Sequence, residues 1–143
     1  MLLNHNFEWG EAGSTTRFTG VPDGCDALLL AELLARASQS LLHVSSDDLG
    51  MNRLAESVAY FAPDTRVLKF PAWDCLPYDR VPPRAELVAE RMATLGALAN
   101  EDADPAESGP PTLILTTVAA VLQRVPPRGR IRATHMELVP GRM

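Results

Sequence analysis

Apolar residues recur at helical spacing in some stretches of this chain and bunch into short runs in others. Ala27–Ala37 (ALLLAELLARA) is built from strong helix formers, with a broad apolar face at positions 28, 29, 30, 33 and 34. Beyond Ser45, Ser46 and Asp47, residue types suited to capping a helix, Met51, Leu54, Ala55, Val58 and Phe61 share one face until Pro63 ends the helix. A third helix is predicted over Ala85–Ala99, with Val88, Met92, Leu95 and Ala99 in step, and a short one over Val118–Arg124, stopped by Pro126 and Pro127. Leu41–Val44, Arg66–Phe70 and Thr112–Thr116 (TLILT) read as strands, the last a hydrophobic run of the kind covered on both faces. Thr15–Thr19 is a short β-prone segment, and Ile131–Val139 alternates loosely enough to predict one more strand. Strands alternating with helices imply an α/β fold with a parallel sheet flanked by helices.

The connections are as distinct as the elements. Pro71–Pro83 (PAWDCLPYDRVPP) holds four prolines and must be irregular. Asn100–Pro111 (NEDADPAESGPP) is acidic and rich in breakers, which predicts a surface loop.

At 143 residues, 46% apolar and 22% charged, the chain fits one soluble globular domain. Apolar runs such as Ala27–Ala31 fall far short of the roughly 20 residues that span a bilayer. The N-terminus has no basic flank or cleavage site, so the cytoplasm is expected and no membrane contact is. Cys25 and Cys75 are far apart and read as free thiols; His5, His43 and His135 are too scattered for a metal site. No metal or other cofactor is expected. The net charge of −5 argues against DNA binding by this chain alone. Five arginines after position 123 nevertheless face a single acid, Glu137. Arg128, Arg130 and Arg132 could make a weak phosphate contact, although such a run also serves as a solvated edge.

Thr19–Leu30 (TGVPDGCDALLL) has the outline of a phosphate-binding loop opening into a helix. A Walker loop, G-x-x-x-x-G-K-[ST], cradles phosphates with backbone amides, while its lysine contacts them and its hydroxyl holds magnesium. Anchored on Gly20, the pattern puts Cys25 at the second glycine, Asp26 at the lysine and Ala27 at the hydroxyl. The sole lysine of the chain, Lys69, lies on a different predicted strand. The loop is therefore read as degenerate, with Gly20 and Gly24 permitting a tight turn and Asp23 or Asp26 capping the helix.

Residues 70–95 (FPAWDCLPYDRVPPRAELVAERMATL) resemble a segment near the N-terminus of the bacterial transcription-repair coupling factor, W-[DE]-x-L-P-Y-[DE] followed by [IV]-x-x-R-x-x-[TA]-L. The matching positions are Trp73, Asp74, Leu76, Pro77, Tyr78 and Asp79, then Val88, Arg91, Thr94 and Leu95. The resemblance extends over about residues 18–140. It implies a UvrB-like, RecA-type (P-loop NTPase-like) α/β subdomain over 15–130, after an N-terminal extension over 1–14 and before a strand, 131–143, leading into a following domain. In UvrB the corresponding piece has a working phosphate loop and a long β-hairpin, and Pro71–Pro83 is too short for that hairpin. The family's translocase and RNA-polymerase-binding modules lie further C-terminal, and its UvrA-recruiting surface lies mainly in the next domain. The chain is accordingly expected to be an N-terminal fragment with no catalytic residue of its own. The remaining domains of the parent would be its partners, and UvrA and RNA polymerase would be reached through them.

Trp73, Leu76, Pro77, Tyr78, Asp79 and Arg91 form the candidate interface. The plainer alternative folds both aromatic rings back onto the sheet edge. Arg91 is expected to pair with Asp74 or Asp79, or to touch phosphate. Asp47–Asp48 reads as a helix cap, and Ser45–Ser46 lacks a nucleophile elbow. The rival function is a small stand-alone α/β nucleotide-binding protein that holds phosphate through backbone amides alone.

Overall fold

The computed structural model describes residues 8, 10–22, 24–76, 78–100 and 111–134. Its elements run α1 (Asp26–Arg36), β1 (Leu41–Ser45), α2 (Asp48–Phe61), β2 (Val67–Phe70), α3 (Ala85–Asn100), β3 (Leu113–Thr117), α4 (Val118–Val121) and α5 (Arg128–Thr134). The strands form one parallel sheet in the order β1-β3-β2. Leu113 is level with Leu41 on one side and Val67 on the other. Both crossovers, β1 to β2 and β2 to β3, carry a helix, as parallel strands require. The arrangement is an open α/β layer structure compatible with a RecA-like core.

Local chemistry explains the element starts. The Asp47 carboxylate accepts the Gly50 N–H at 2.7 Å and caps α2. Thr117 Oγ1 accepts the Ala120 N–H at 3.2 Å and turns β3 directly into α4.

The core lies on one side of the sheet. Leu113 and Leu115, at the centre of the central strand, meet Ala27 and Leu34 of α1 and Met51, Leu54 and Val58 of α2. Leu41 and Val67, on the same face of the flanking strands, pack against this cluster. Strand alternation puts Leu42, Val44 and Phe70 on the other face. There α3 covers β2: Arg91 lies over the Phe70 ring, and Thr94 Oγ1 donates to the Lys69 carbonyl. That face is open above β1, where Leu42 and Val44 are 60% and 42% exposed.

A β-prone segment and an expected strand do not join the sheet. Thr15–Thr19 pairs with nothing in the sheet and lies exposed between Gly13 and Gly20, both with positive φ. Without a neighbour to complete its ladder, β propensity alone does not make a strand. Residues 131–134, expected to begin a strand, are the second half of α5, and 135–143 lie outside the described residues. The Pro127 carbonyl accepts the N–H groups of Arg130 and Ile131, which starts a helix where the proline has fixed φ. The loose alternation of Ile131–Val139 suggested a strand period, but α5 packs against α3 and its Arg128 Nε donates to the Ala99 carbonyl at 3.1 Å. The loop expected over 100–111 falls mostly outside the described residues.

Leu115→Ala, at a fully buried central-strand position, should cost about 2–5 kcal/mol in urea unfolding. Leu42→Ala, on the open face, should cost no more than about 0.5 kcal/mol.

Candidate functional site

The proline-rich connection leaves the C-terminal end of β2 and crosses the edge of the sheet before α3. Proline fixes its shape at several points, and side chains from four other elements or turns fix its position. The central anchor is Arg91 of α3, only 1% exposed. Its guanidinium carbon lies 4.0 Å from the Phe70 ring centroid and 4.2 Å from that of Trp73, and Nη1 donates to the Pro71 carbonyl. A cation over a π face is worth up to about 2 kcal/mol when desolvated. Burial lowers the pKa of Arg91 from its ordinary value, but arginine stays cationic in proteins. Its Nε is buried with no hydrogen-bond partner.

Further ties follow the chain outward. Thr116 Oγ1 donates to the Phe70 carbonyl at 2.8 Å, from the central strand. The Ala72 N–H reaches Asp48 Oδ1 at the start of α2 (3.5 Å), and the Trp73 N–H donates to Gln123 Oε1 just past α4 (3.2 Å). Asp74 receives both the backbone N–H and the Nε of Arg84, the latter at 2.6 Å. The side-chain hydrogen bond from Arg84 holds the Asp74 carboxyl below its ordinary value. Asp79 Oδ2 accepts the Leu76 N–H at 2.7 Å and closes the tip.

The candidate residues therefore divide. Arg91 is an internal anchor and pairs with neither Asp74 nor Asp79; those carboxylates are held by Arg84 and by the loop backbone, both nearer in sequence. Trp73 is half-buried against Arg91, while Tyr78 is 96% and Leu76 71% exposed. Folding both rings back onto the sheet edge thus fails for Tyr78, which the Leu76–Asp79 turn carries outward. Pro77 lies outside the described residues. Phe70, Arg84 and Gln123 complete the arrangement, and nothing in their spacing singles them out beforehand. Arg128, Arg130 and Arg132 sit together on α5, away from this connection in the chain.

The glycine-bearing loop before α1 has Gly20 and Gly24 at φ 71° and 84°, a conformation only glycine adopts freely. Asp23 lies outside the described residues. Cys25 occupies the N-cap without a side-chain bond, and Asp26 is the first helical residue, its carboxylate accepting the Ala27 N–H at 2.9 Å. Across from it, His43 of β1 lies 3.3 Å from Ser45 Oγ through Nδ1. Burial lowers the His43 pKa from 6.5, while the Asp26 charge pulls the other way. Among the described residues, no group of His, Cys, Asp and Glu could hold a metal ion, and no helix is long and apolar enough to cross a membrane.

Fold and connection define a parallel α/β domain with one tightly anchored loop at its sheet edge. No protein-family model matches the chain. It is similar to the transcription-repair-coupling factor of Myxococcus xanthus, 30% identical over 138 residues, which cover 91% of this chain and 11% of that protein. The factor of the same name from Mycobacterium tuberculosis is 29% identical over 117 residues, 81% of this chain and 9% of the relative. That of Rickettsia bellii is 22% identical over 107 residues, 75% of this chain and 9% of the relative. The chain thus spans about a tenth of the length of the curated relatives it matches.

Arg91→Ala should destabilise the chain by about 3–5 kcal/mol, through the cavity and the unpaired Pro71 carbonyl. Arg91→Lys should cost about 2 kcal/mol, because an ammonium cannot lie flat over two rings. Both would be read by urea unfolding in a Trp9→Phe background, with Trp73 emission shifted to longer wavelength. His43 makes a pH prediction of definite sign. Its folded pKa is lowered, so its contribution is full above 6.5 and is lost as pH falls through the folded value. Stability measured from pH 8 downward should decline through this window less steeply in His43→Gln.

Proposed function

We propose that the chain is a non-catalytic, UvrB-like structural subdomain of a transcription-repair coupling factor. One observation carries the reading: the family-like stretch invests its polar atoms in the fold. Arg91 stacks on Phe70 and Trp73, Thr94 bonds the Lys69 carbonyl, and Asp74 clamps Arg84. These partners position a loop; they leave no paired acid and base or activated nucleophile aimed at a common point. The name shared by the similar proteins supports transcription-coupled repair as the process.

On this reading the loop at Gly20–Ala27 is a phosphate loop that has kept its turn and helix. Cys25, Asp26 and Ala27 occupy the places of the second glycine, the lysine and the hydroxyl. A carboxylate at the lysine position would repel the phosphates that a lysine attracts. The subdomain would scaffold the neighbouring UvrA-recruiting domain and take part in the interdomain packing of a cytoplasmic parent protein. ATP-driven translocation and displacement of RNA polymerase would be the work of that parent's other modules.

Calorimetric titration with ATP or ADP in the presence of magnesium should show no binding. Micromolar affinity that disappears in Gly20→Pro would overturn the proposal in favour of a phosphate loop working through backbone amides alone.

A further inference from the structure

β2 is an edge strand, and its outer side meets no further strand among the described residues. The Arg66 carbonyl accepts the Leu113 N–H at 2.9 Å, so Arg66, Leu68 and Phe70 turn their backbone groups toward β3. Strand alternation turns those of Val67 and Lys69 outward. Such a row of donors and acceptors is a template for another chain. There is also room beside it. A groove of about 430 Å3 lies along this side, lined in part by Ala55 and Ala59 of α2, Val67 and Lys69 of β2, and Glu90 and Ala93 of α3.

One side chain crosses the edge. Lys69 is the sole lysine of the chain. Val67 packs into the core beside α2, and alternation puts Lys69 on that same face. Its ammonium nevertheless lies 2.8 Å from Glu90 Oε1 on α3, the helix of the opposite face, and donates to Asn52 Oδ1 on α2 at 3.2 Å. To reach both helices the side chain has to wrap around the outer margin of β2. Thr94, also on α3, donates to the Lys69 carbonyl and takes up an acceptor position that an arriving strand would use. A part-exposed ion pair of this kind contributes little to stability. Exclusion is the role its place across the edge explains.

The strand it excludes is identified by the edge itself. In an antiparallel pair centred on Leu68, Val67 of each copy lies opposite Lys69 of the other, and their outward N–H and C=O groups bond each other. A two-fold contact needs only such self-complementarity, and every copy supplies it. Pairing would break the Lys69–Glu90 contact and cover both charges with the incoming backbone, a desolvation that the new hydrogen bonds would have to offset. We propose that the bridge from Lys69 to Glu90 and Asn52 is a strap that closes the β2 edge against strand addition by a second copy of this chain. The inference rests on the sheet edge and not on the repair-factor reading.

The test is amide hydrogen exchange on the whole chain, read residue by residue by NMR as protein concentration is raised. In the unaltered chain the amides of Val67 and Lys69 should exchange fast at every concentration, while those of Leu68 and Phe70, bonded to β3, stay protected. Lys69→Thr removes the strap but keeps a strand-forming residue. The amides of positions 67 and 69 should then slow roughly tenfold or more as concentration rises, with urea unfolding of the dilute chain nearly unchanged. Glu90→Gln, which leaves β2 untouched, should give a smaller rise in protection and carries the test if Lys69→Thr fails to fold. Lys69→Arg keeps the charge and should behave as the unaltered chain. Protection at positions 67 and 69 that ignores concentration in both Lys69→Thr and Glu90→Gln would sink the proposal. So would equal, concentration-dependent protection in the unaltered chain, because the edge would then pair with the strap in place. Nucleotide binding by the loop before α1 would leave all of these outcomes standing, so the two readings fail separately.

Discussion

A guanidinium taken out of water must recover its hydration from the protein, and most of this structure's sheet edge is organised around doing so. Arg91 is almost wholly buried without a carboxylate partner among the described residues. In place of an ion pair it has two aromatic faces and a backbone carbonyl. Such a set desolvates one full charge where a buried salt bridge desolvates two, and the rings and the carbonyl must offset that cost without a counter-charge. It is also geometrically demanding. The rings must be in place before the arginine can be buried, so Phe70, Pro71, Trp73 and α3 are fixed together or not at all.

This requirement connects the sheet to the loop. Phe70 is the last residue of β2, and its carbonyl is held by Thr116 of the central strand. Trp73, three residues on, is held by Gln123 from beyond α4. The register of β2 against β3 therefore sets the position of one ring, and the turn after β3 helps to set the other. A slip of one residue would turn Phe70 to the face occupied by α1 and α2 and leave Arg91 without its first partner. The anchored loop and the parallel sheet thus specify each other.

The sequence disclosed the layer architecture well, because each helix and strand there carries a period of its own. TLILT could be placed in a covered strand from composition, and Asp47 could be read as a cap from its type and place. Segments whose state is decided by neighbours were illegible. Thr15–Thr19 has strand-forming residues but no strand beside it, and Ile131–Thr134 alternates like a strand but follows Pro127 into a helix. The same limit applies to the loop. Arg91 could be matched to a motif, but its spacing favoured an ion pair with Asp74 or Asp79. That Arg84 lies closer along the chain to both, and that Phe70 offers a ring, become decisive only once α3 is folded against β2.

The motif residues also illustrate how a recognisable stretch can be architectural on one side and exposed on the other. The two ends of the connection face opposite ways: Ala72 and Trp73 turn toward the domain, while Leu76, Tyr78 and Val81 turn toward solvent. The inward residues make the backbone rigid, and rigidity is what makes an outward apolar side chain useful. A flexible loop bearing the same leucine and tyrosine would collapse them onto its own domain or lose entropy on every encounter. Holding them away from the surface requires a strong internal anchor, and a buried cation stacked on two rings supplies one. The desolvation of Arg91 and the exposure of Tyr78 are therefore two consequences of one constraint: a short, proline-stiffened crossing that must be pinned from within to present its other side.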